Sequence, residues 1–269
     1  MSGLPLTYTN QKVQRLRRLI GRRAARQDDR AFVVEGTKVV SEALAAGTRV
    51  HEVFVADDAP PDVHDVADRA SAPVHTLAKG VMERVADTVT PQPILAVASF
   101  VDVPLEELAD ATFLVVCVDV RDPGNAGTVL RSAEAAGADG VVCCGGSVDL
   151  YNPKTVRASA GSLFHVPVVA GGDPVMVLER IGSWGVRRLG TSARTGTDYA
   201  DADLTQRVAF VLGNEGAGLP PALADHLDGH VSIPMAGRAE SLNVGMAAAV
   251  LCFEAARQRR AAPAPEVRR

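Results

Sequence analysis

The residues of this chain best suited to chemistry fall in three short stretches. The first, Asp119-Val120-Arg121-Asp122-Pro123-Gly124-Asn125-Ala126-Gly127-Thr128-Val129-Leu130-Arg131, reads as a strand end, a Gly/Pro turn and the start of a helix. Asn125 stands where a helix cap is expected, and capping, worth about 1 kcal/mol, explains its type. Arg131 follows in a helix otherwise lined with Ala, Val and Leu, where a guanidinium either holds a phosphate or pairs with a carboxylate. The second stretch, Gly213-Asn214-Glu215-Gly216-Ala217-Gly218, comes directly after an apolar run. Its glycines let backbone approach a ligand closely, in an order that departs from the dinucleotide fingerprint. Glu215 there reads equally as a surface or capping carboxylate. The third runs from Ile233-Pro234-Met235 to Ser241-Leu242-Asn243-Val244. Ser241 is a candidate N-cap; with no neighbouring histidine and no strained elbow motif it does not read as a nucleophile, which argues against a hydrolase.

The elements that must position these stretches alternate. In the second half, strands are expected at 113–120, 140–144, 166–169, 186–190, 208–212 and 231–233, with helices over 126–136, 153–163, 174–184, 220–226 and 242–260. Continuous apolar strands such as Leu114-Val115-Val116-Cys117-Val118 fit a parallel sheet covered by helices on both faces. Ligands of such sheets bind at the carboxyl ends of strands, which brings the loop Gly190-Thr191-Ser192-Ala193 into consideration. The first half reads as a smaller α/β domain: a basic helix, strands at 32–34 and 50–56, helices over 37–46 and 62–70, and short strands near Val74 and at 95–100. The expected division is 1–100, a linker at 101–111, a second domain at 112–262 and a tail at 263–269 containing Arg268 and Arg269.

With 47% hydrophobic and 22% charged residues, the composition is that of an ordinary globular protein, without an apolar run long enough to span a bilayer or a leader at Met1–Asn10. A cytoplasmic location is expected. Cys117, Cys143, Cys144 and Cys252 lack metal-ligand spacing and read as small hydrophobes in a reduced compartment; the six histidines are scattered, so no metal is expected. The net charge of −4 argues against a general nucleic-acid binder, but its distribution is uneven. Lys12, Arg15, Arg17, Arg18, Arg22, Arg23, Arg26 and Arg30 stand against only Asp28 and Asp29 in residues 11–30. Such a cluster suits phosphate contacts, with Arg17, Arg18, Arg22 and Arg23 as the candidates, or else forms a solvated helix face.

Taken in order, Asn-x-Gly-x-x-x-Arg, then Gly-Asn-Glu-Gly-x-Gly, then Ile-Pro-Met with Ser-Leu-Asn-Val resemble the three signature motifs of the SpoU/TrmH family of SPOUT methyltransferases. Phe32-Val33-Val34-Glu35-Gly36 with Val53-Phe54-Val55 looks like that family's ribosomal-protein-like substrate-binding domain. The resemblance implies a C-terminal α/β SPOUT domain with a parallel sheet and a deep trefoil knot, a feature that general rules of chain topology would not suggest. It implies S-adenosyl-L-methionine as cofactor, held by Gly213, Asn214, Gly216, Ile233, Met235 and Leu242, with Thr191 and Ser192 lining the same pocket. It further implies methylation of a ribose 2′-hydroxyl in structured RNA, 23S ribosomal RNA first. Arg131 matches the family's catalytic arginine, and Asn125, Glu215, Ser241 and Asn243 match its polar motif positions.

A guanidinium stays protonated, so positioning phosphate and stabilising a developing alkoxide suit Arg131 better than general-base work. The family's site is completed across a homodimer through the C-terminal helix, where Gly245, Ala247, Ala248 and Ala249 permit close approach here, or internal packing. Arg157 stands in the helix where antibiotic-resistance relatives carry an arginine, while Ala160-Gly161 resembles the housekeeping version. The alternatives are a transfer-RNA 2′-O-methyltransferase, a catalytically inactive RNA-binding relative, and a nucleotide-binding α/β enzyme.

Overall fold

A computed structural model describes residues 4–86 and 88–262, so Arg268 and Arg269 lie outside the described residues. By its contacts the chain divides into two compact units, residues 1–101 with 149–165, and residues 102–148 with 166–269. This differs from a single boundary at 101–111, and the difference is the segment 149–165.

In the first unit, α1 (Gln11–Gly21) buries Val13, Leu16 and Leu19 at helical spacing and is capped by Asn10, whose side chain accepts from Lys12 N. The basic stretch is not one helix. Extended backbone at Arg22 separates α1 from α2 (Arg23–Asp29). Strands β1 (Ala31–Glu35), β2 (Val50–Ala56), β3 (Val74–Leu77) and β4 (Ile94–Ser99) form a sheet in the order β1-β4-β2-β3. Beta-4 is antiparallel to both neighbours, while β2 and β3 are parallel. Helices α3 (Thr37–Ala45), α4 (Pro61–Asp68) and the single turn α5 (Met82–Val85) complete the N-terminal part.

The segment 149–165 joins this unit for definite reasons. Tyr151, fully buried, stacks on Phe100 with ring centroids 3.7 Å apart and lies 4.8 Å from Phe32. Its hydroxyl accepts from Val101 N. Asp149 accepts two hydrogen bonds from the buried Arg26, whose remaining donors reach the carbonyls of Leu19 and Ile20. Arg157, in α7 (Pro153–Ala158), donates to the buried Glu35. Left-handed backbone at Ala160 and Gly161 ends α7, so the helix expected over 153–163 becomes α7 plus a 3₁₀ turn at Ser162–Phe164.

The second unit carries a seven-stranded sheet in which every pairing is parallel. Its strands are β5 (Phe113–Cys117), β6 (Gly140–Cys143), β7 (Val168–Ala170), β8 (Arg187–Thr191), β9 (Thr197–Asp198), β10 (Val208–Leu212) and β11 (Gly229–Ser232). They are ordered β7-β6-β5-β10-β8-β11-β9. On one face Leu114, Val116, Ala209 and Val211 pack with Val177, Leu178 and Ile181 of α8 (Pro174–Ser183). The other helices of this unit are α6 (Pro123–Ala135) and α9 (Val244–Ala261), which pack on each other. Gly245 makes that approach feasible, since a Cβ there would lie 2.9 Å from Thr128 Cβ. The expected helix 220–226 is a 3₁₀ helix at Pro221–His226.

All four cysteines are buried and free. The hydrogen bond with Cys143, followed by burial, pushes the Cys117 thiol up, and burial first of all pushes Cys144 and Cys252 up to about 12, so none of these three is poised as a nucleophile. No helix among the described residues is long and apolar enough to cross a membrane, and no cluster of His, Cys, Asp or Glu among them could hold a metal.

Candidate active site

Strands β5, β10, β8 and β11 are consecutive neighbours in an all-parallel sheet, so the loops leaving their carboxyl ends converge. Those loops contain the three stretches singled out from the sequence and the 191–196 turn. The loops after β8, β10 and β11 enclose a cavity of about 580 Å³ lined by all eight residues expected to hold the cofactor: Gly213, Asn214, Gly216, Ile233, Met235, Leu242, Thr191 and Ser192; the loop after β5 contributes no lining residue. Beside Val244 of the third stretch, Ala247 and Leu251 of α9 add apolar wall that the motifs did not indicate.

The glycine-rich loop is closed by reciprocal backbone hydrogen bonds between Asn214 and Gly218, 3.0 and 2.9 Å. Gly213 cannot be replaced without moving backbone, because a Cβ would lie 2.4 Å from the Gly218 carbonyl carbon. The Asn214 side chain is committed to shaping this loop. Its oxygen accepts from Gly216 N and Ala217 N, and its nitrogen donates to the Asp119 carbonyl. Asp119 itself has φ of +56°, an uncommon conformation that Asp tolerates better than most residues. Ser192 likewise builds its loop, its hydroxyl accepting from the amides of Arg194 and Thr195. Thr191 donates to the Val211 carbonyl.

Glu215, Asn125 and Asn243 come together from the three stretches. Glu215 Oε1 accepts from Asn125 Nδ2 at 2.9 Å and from Asp122 N at 3.2 Å, and Oε2 from Arg121 N at 3.4 Å. Asn125 Oδ1 in turn accepts from Asn243 Nδ2 at 2.8 Å. Burial pushes the Glu215 carboxyl up, but the hydrogen bonds from Asn125 and the surrounding amides together outweigh it and hold the group below its usual range.

Two capping assignments are corrected. Asp122, not Asn125, caps α6, accepting from Asn125 N at 2.8 Å with Pro123 at the first helical position. Asn243, not Ser241, caps α9 through Gly245 N and Met246 N, so that helix begins at Val244. Asn125 is thereby free to use both ends of its amide on side chains. The Asp-Pro pair was the legible signal for the true cap. Ser241 lines the cavity.

Arg131 is exposed on α6 and does not line the cavity, and its side chain has no hydrogen bond or ion pair among the described residues. Roughly 9 Å of helix separates it from Asn125, six residues at 1.5 Å each. Within one chain these two motif residues do not meet. On α9, Gly245 and Ala248 are buried in the chain's own packing, while Met246 and Phe253, one side of the same helix, are 59% and 48% exposed.

In the N-terminal unit the basic cluster separates into roles. Arg26 is removed from the phosphate-binding candidates by its burial against Asp149, while Lys12 and Arg15 pair with Glu52. Arg17 lies over the Tyr8 ring at 4.3 Å, whose centroid is also 3.6 Å from Arg84. Arg18, Arg22 and Arg23 are exposed and unpaired among the described residues.

Comparison with known proteins matches residues 112–253 to the SpoU rRNA Methylase family and residues 10–96 to an MRM3-like substrate binding domain. The chain is 37% identical over 246 residues to the 23S rRNA (guanosine(2553)-2′-O)-methyltransferase RlmP of Bacillus subtilis, covering 91% of this chain and 95% of that protein. It is 34% identical to the 23S rRNA (uridine(2479)-2′-O)-methyltransferase of Streptomyces viridochromogenes, covering 94% and 92%. Among solved structures, the SpoU methyltransferase AviRb from Streptomyces viridochromogenes in complex with AdoMet superposes with a TM-score of 0.84 at 31% identity, covering 94% of this chain and all of that one. An rRNA methyltransferase from Sinorhizobium meliloti gives 0.84 at 30% identity, covering 97% and 98%.

Proposed function

Because the chain belongs to the SpoU rRNA methylase family, we propose that it transfers the methyl group of S-adenosylmethionine to a ribose 2′-hydroxyl of 23S ribosomal RNA. Its all-parallel sheet matches the trefoil-knotted SPOUT fold. The observation that carries the proposal is the hydrogen-bonded line Glu215–Asn125–Asn243, which ties three strand-end loops together and reaches the 580 Å³ cavity through Glu215. The cavity suits the donor: Gly213 offers backbone edges without a side chain, and Ile233, Leu242 and Leu251 provide apolar surface for a planar base.

The donor, when bound, supplies an electrophilic methyl on a sulfonium centre. What the protein must add is alignment of a weak nucleophile and help in losing its proton. We assign alignment to the rigid loops closed by Asn214 and Glu215. Arg131 holds the RNA phosphate and stabilises the developing alkoxide, while Ser241 faces the cavity as a polar contact. Since Arg131 lies off the cavity in its own chain, the complete site takes Arg131 from a second copy. Pairing through α9, whose exposed Met246 and Phe253 form an apolar stripe, supports that arrangement. The exposed Arg18, Arg22 and Arg23, with Arg17, form the RNA-facing group of the N-terminal unit.

The test is methyl incorporation. Purified protein with labelled S-adenosylmethionine should modify 23S RNA and leave one alkali-resistant 2′-O-methyl position that is missing from cells lacking the gene. Labelling of transfer RNA in preference to ribosomal RNA would reassign the substrate, and no labelling of either would leave the inactive RNA-binding reading.

A further inference from the structure

We propose that Arg194 and Glu240 hold the amino-acid end of the methyl donor, Arg194 on its α-carboxylate and Glu240 on its α-ammonium. The inference rests on the donor assignment above and extends it to two residues outside the three motifs. Both side chains line the 580 Å³ cavity, one from the turn after β8 and the other from the loop between β11 and α9. They face each other across it, Arg194 Nη2 to Glu240 Oε2 at 3.4 Å.

Three features make this pair a ligand site instead of a structural strut. Both side chains are largely exposed, 81% and 83%, and an ion pair so solvated contributes little to holding the loops, so its partners exchange readily. The backbone that carries Arg194 is nonetheless held, because Ser192 Oγ accepts from the amides of residues 194 and 195. And Arg194 is the single Lys or Arg lining the cavity among the described residues.

The charge pattern then selects the ligand. A methylated adenosyl sulfonium carries an adenine that needs apolar walls, a sulfonium cation, and an α-amino acid with a carboxylate beside an ammonium. Glu215 is occupied by Asn125 and two backbone amides, and Asn214 by its own loop, so neither is available to a zwitterion. An arginine facing a glutamate is the complement of a zwitterion: each exchanges its partner side chain for the ligand group of opposite charge, with no net charge left over.

Calorimetric titration of the full chain with S-adenosylhomocysteine and with 5′-methylthioadenosine tests this, since the second ligand keeps the nucleoside and thioether but lacks the amino acid. Arg194→Ala and Glu240→Gln should each weaken S-adenosylhomocysteine about tenfold or more, the loss expected for one charge-assisted contact, while changing methylthioadenosine less than about twofold. Arg194→Lys should recover part of the loss. Equal weakening of both ligands, or of neither, overturns the inference and leaves the donor assignment standing. A wild-type chain that binds neither ligand overturns both.

Discussion

Asn125 bridges Glu215 and Asn243 with the two ends of one amide, donating to the carboxylate at 2.9 Å and accepting from Asn243 at 2.8 Å. The direction of every bond in this line follows from Glu215, because an ionised carboxylate can only accept. The Asn125 nitrogen must therefore face Glu215, its oxygen must face the Asn243 nitrogen, and the Asn243 oxygen is left for the amides that start α9. One charged group thus sets the orientation of two amides and the cap of the last helix.

Replacing Asn125 with Asp should be more damaging than replacing it with Ala. The aspartate sets a second carboxylate against Glu215, whereas alanine only removes contacts, at a cost of about 1 kcal/mol. Methyl-transfer rates should fall by about a hundredfold or more in both, as expected when loop positioning is lost. Thermal melts at neutral pH should rank the Asp variant lower, and equal midpoints would mean that Glu215 is not charged there.

The Glu215 interaction has a defined pH window. Its carboxyl is held below the ordinary range, so its contribution is fully present above the unfolded carboxylate value and is lost as pH falls through the lower folded value. Affinity for 5′-methylthioadenosine, which lacks the amino-acid end that Glu240 would hold, should be level from pH 8 to about 5 and fall only below the usual carboxylate range near 4.3. A Glu215→Gln variant should lack that acid limb; retention of the limb would assign it to another group.

Arg131→Ala should abolish methyl transfer while shifting stability by less than about 0.5 kcal/mol, because the side chain is exposed and unpaired among the described residues. Mixing Arg131→Ala subunits with Asn125→Ala subunits distinguishes one-chain from two-chain sites. If each site draws Arg131 from a second copy, mixed dimers regain one intact site and measurable activity; two inactive parents that stay inactive when mixed would place the arginine in its own chain's site.

Gly213→Ala should destabilise the chain by about 2 kcal/mol and close the cavity, since the added methyl meets backbone, which cannot swing away as a side chain can. Denaturant midpoints and donor titration measure the two effects separately.

Neutralising Arg18, Arg22 and Arg23 together should weaken RNA binding and flatten its salt dependence by up to three phosphate contacts' worth, with melting unchanged. Arg26→Ala should do the opposite, costing about 3–5 kcal/mol by leaving Asp149 charged and buried without its partner. A salt slope unaltered by the triple change would return that surface to ordinary solvation.

The motif residues were legible because their types and order are chemical necessities of the loops: Gly213 where backbone nearly touches, Asn125 and Asn243 where an amide must both give and take. The apolar runs announced the parallel strands for the same reason, burial on both faces. What stayed hidden depends on distant packing. Nothing local marks Arg26 as buried among its seven basic neighbours, since its partner Asp149 is 123 positions away. Nor does Gly245 declare whether its helix face meets α6 or a second chain. The capping positions were misjudged by a few residues because Asp, Asn and Ser all compete for that role with similar energies.

The segment 149–165 also governs how the chain can be made and cut. A ribosome releases the first 101 residues long before the residues that finish their unit, and at about 5–20 residues per second the interval to residue 165 is roughly 3–13 s. During that time Phe32 and Phe100 have no Tyr151 to cover them and Arg26 has no counter-ion, so the earliest-made portion of the protein must outlast exposure to solvent and to other nascent chains. A fragment ending at the apparent linker would be arrested permanently in that state, and a self-sufficient N-terminal piece has to carry residues 149–165 grafted back onto it.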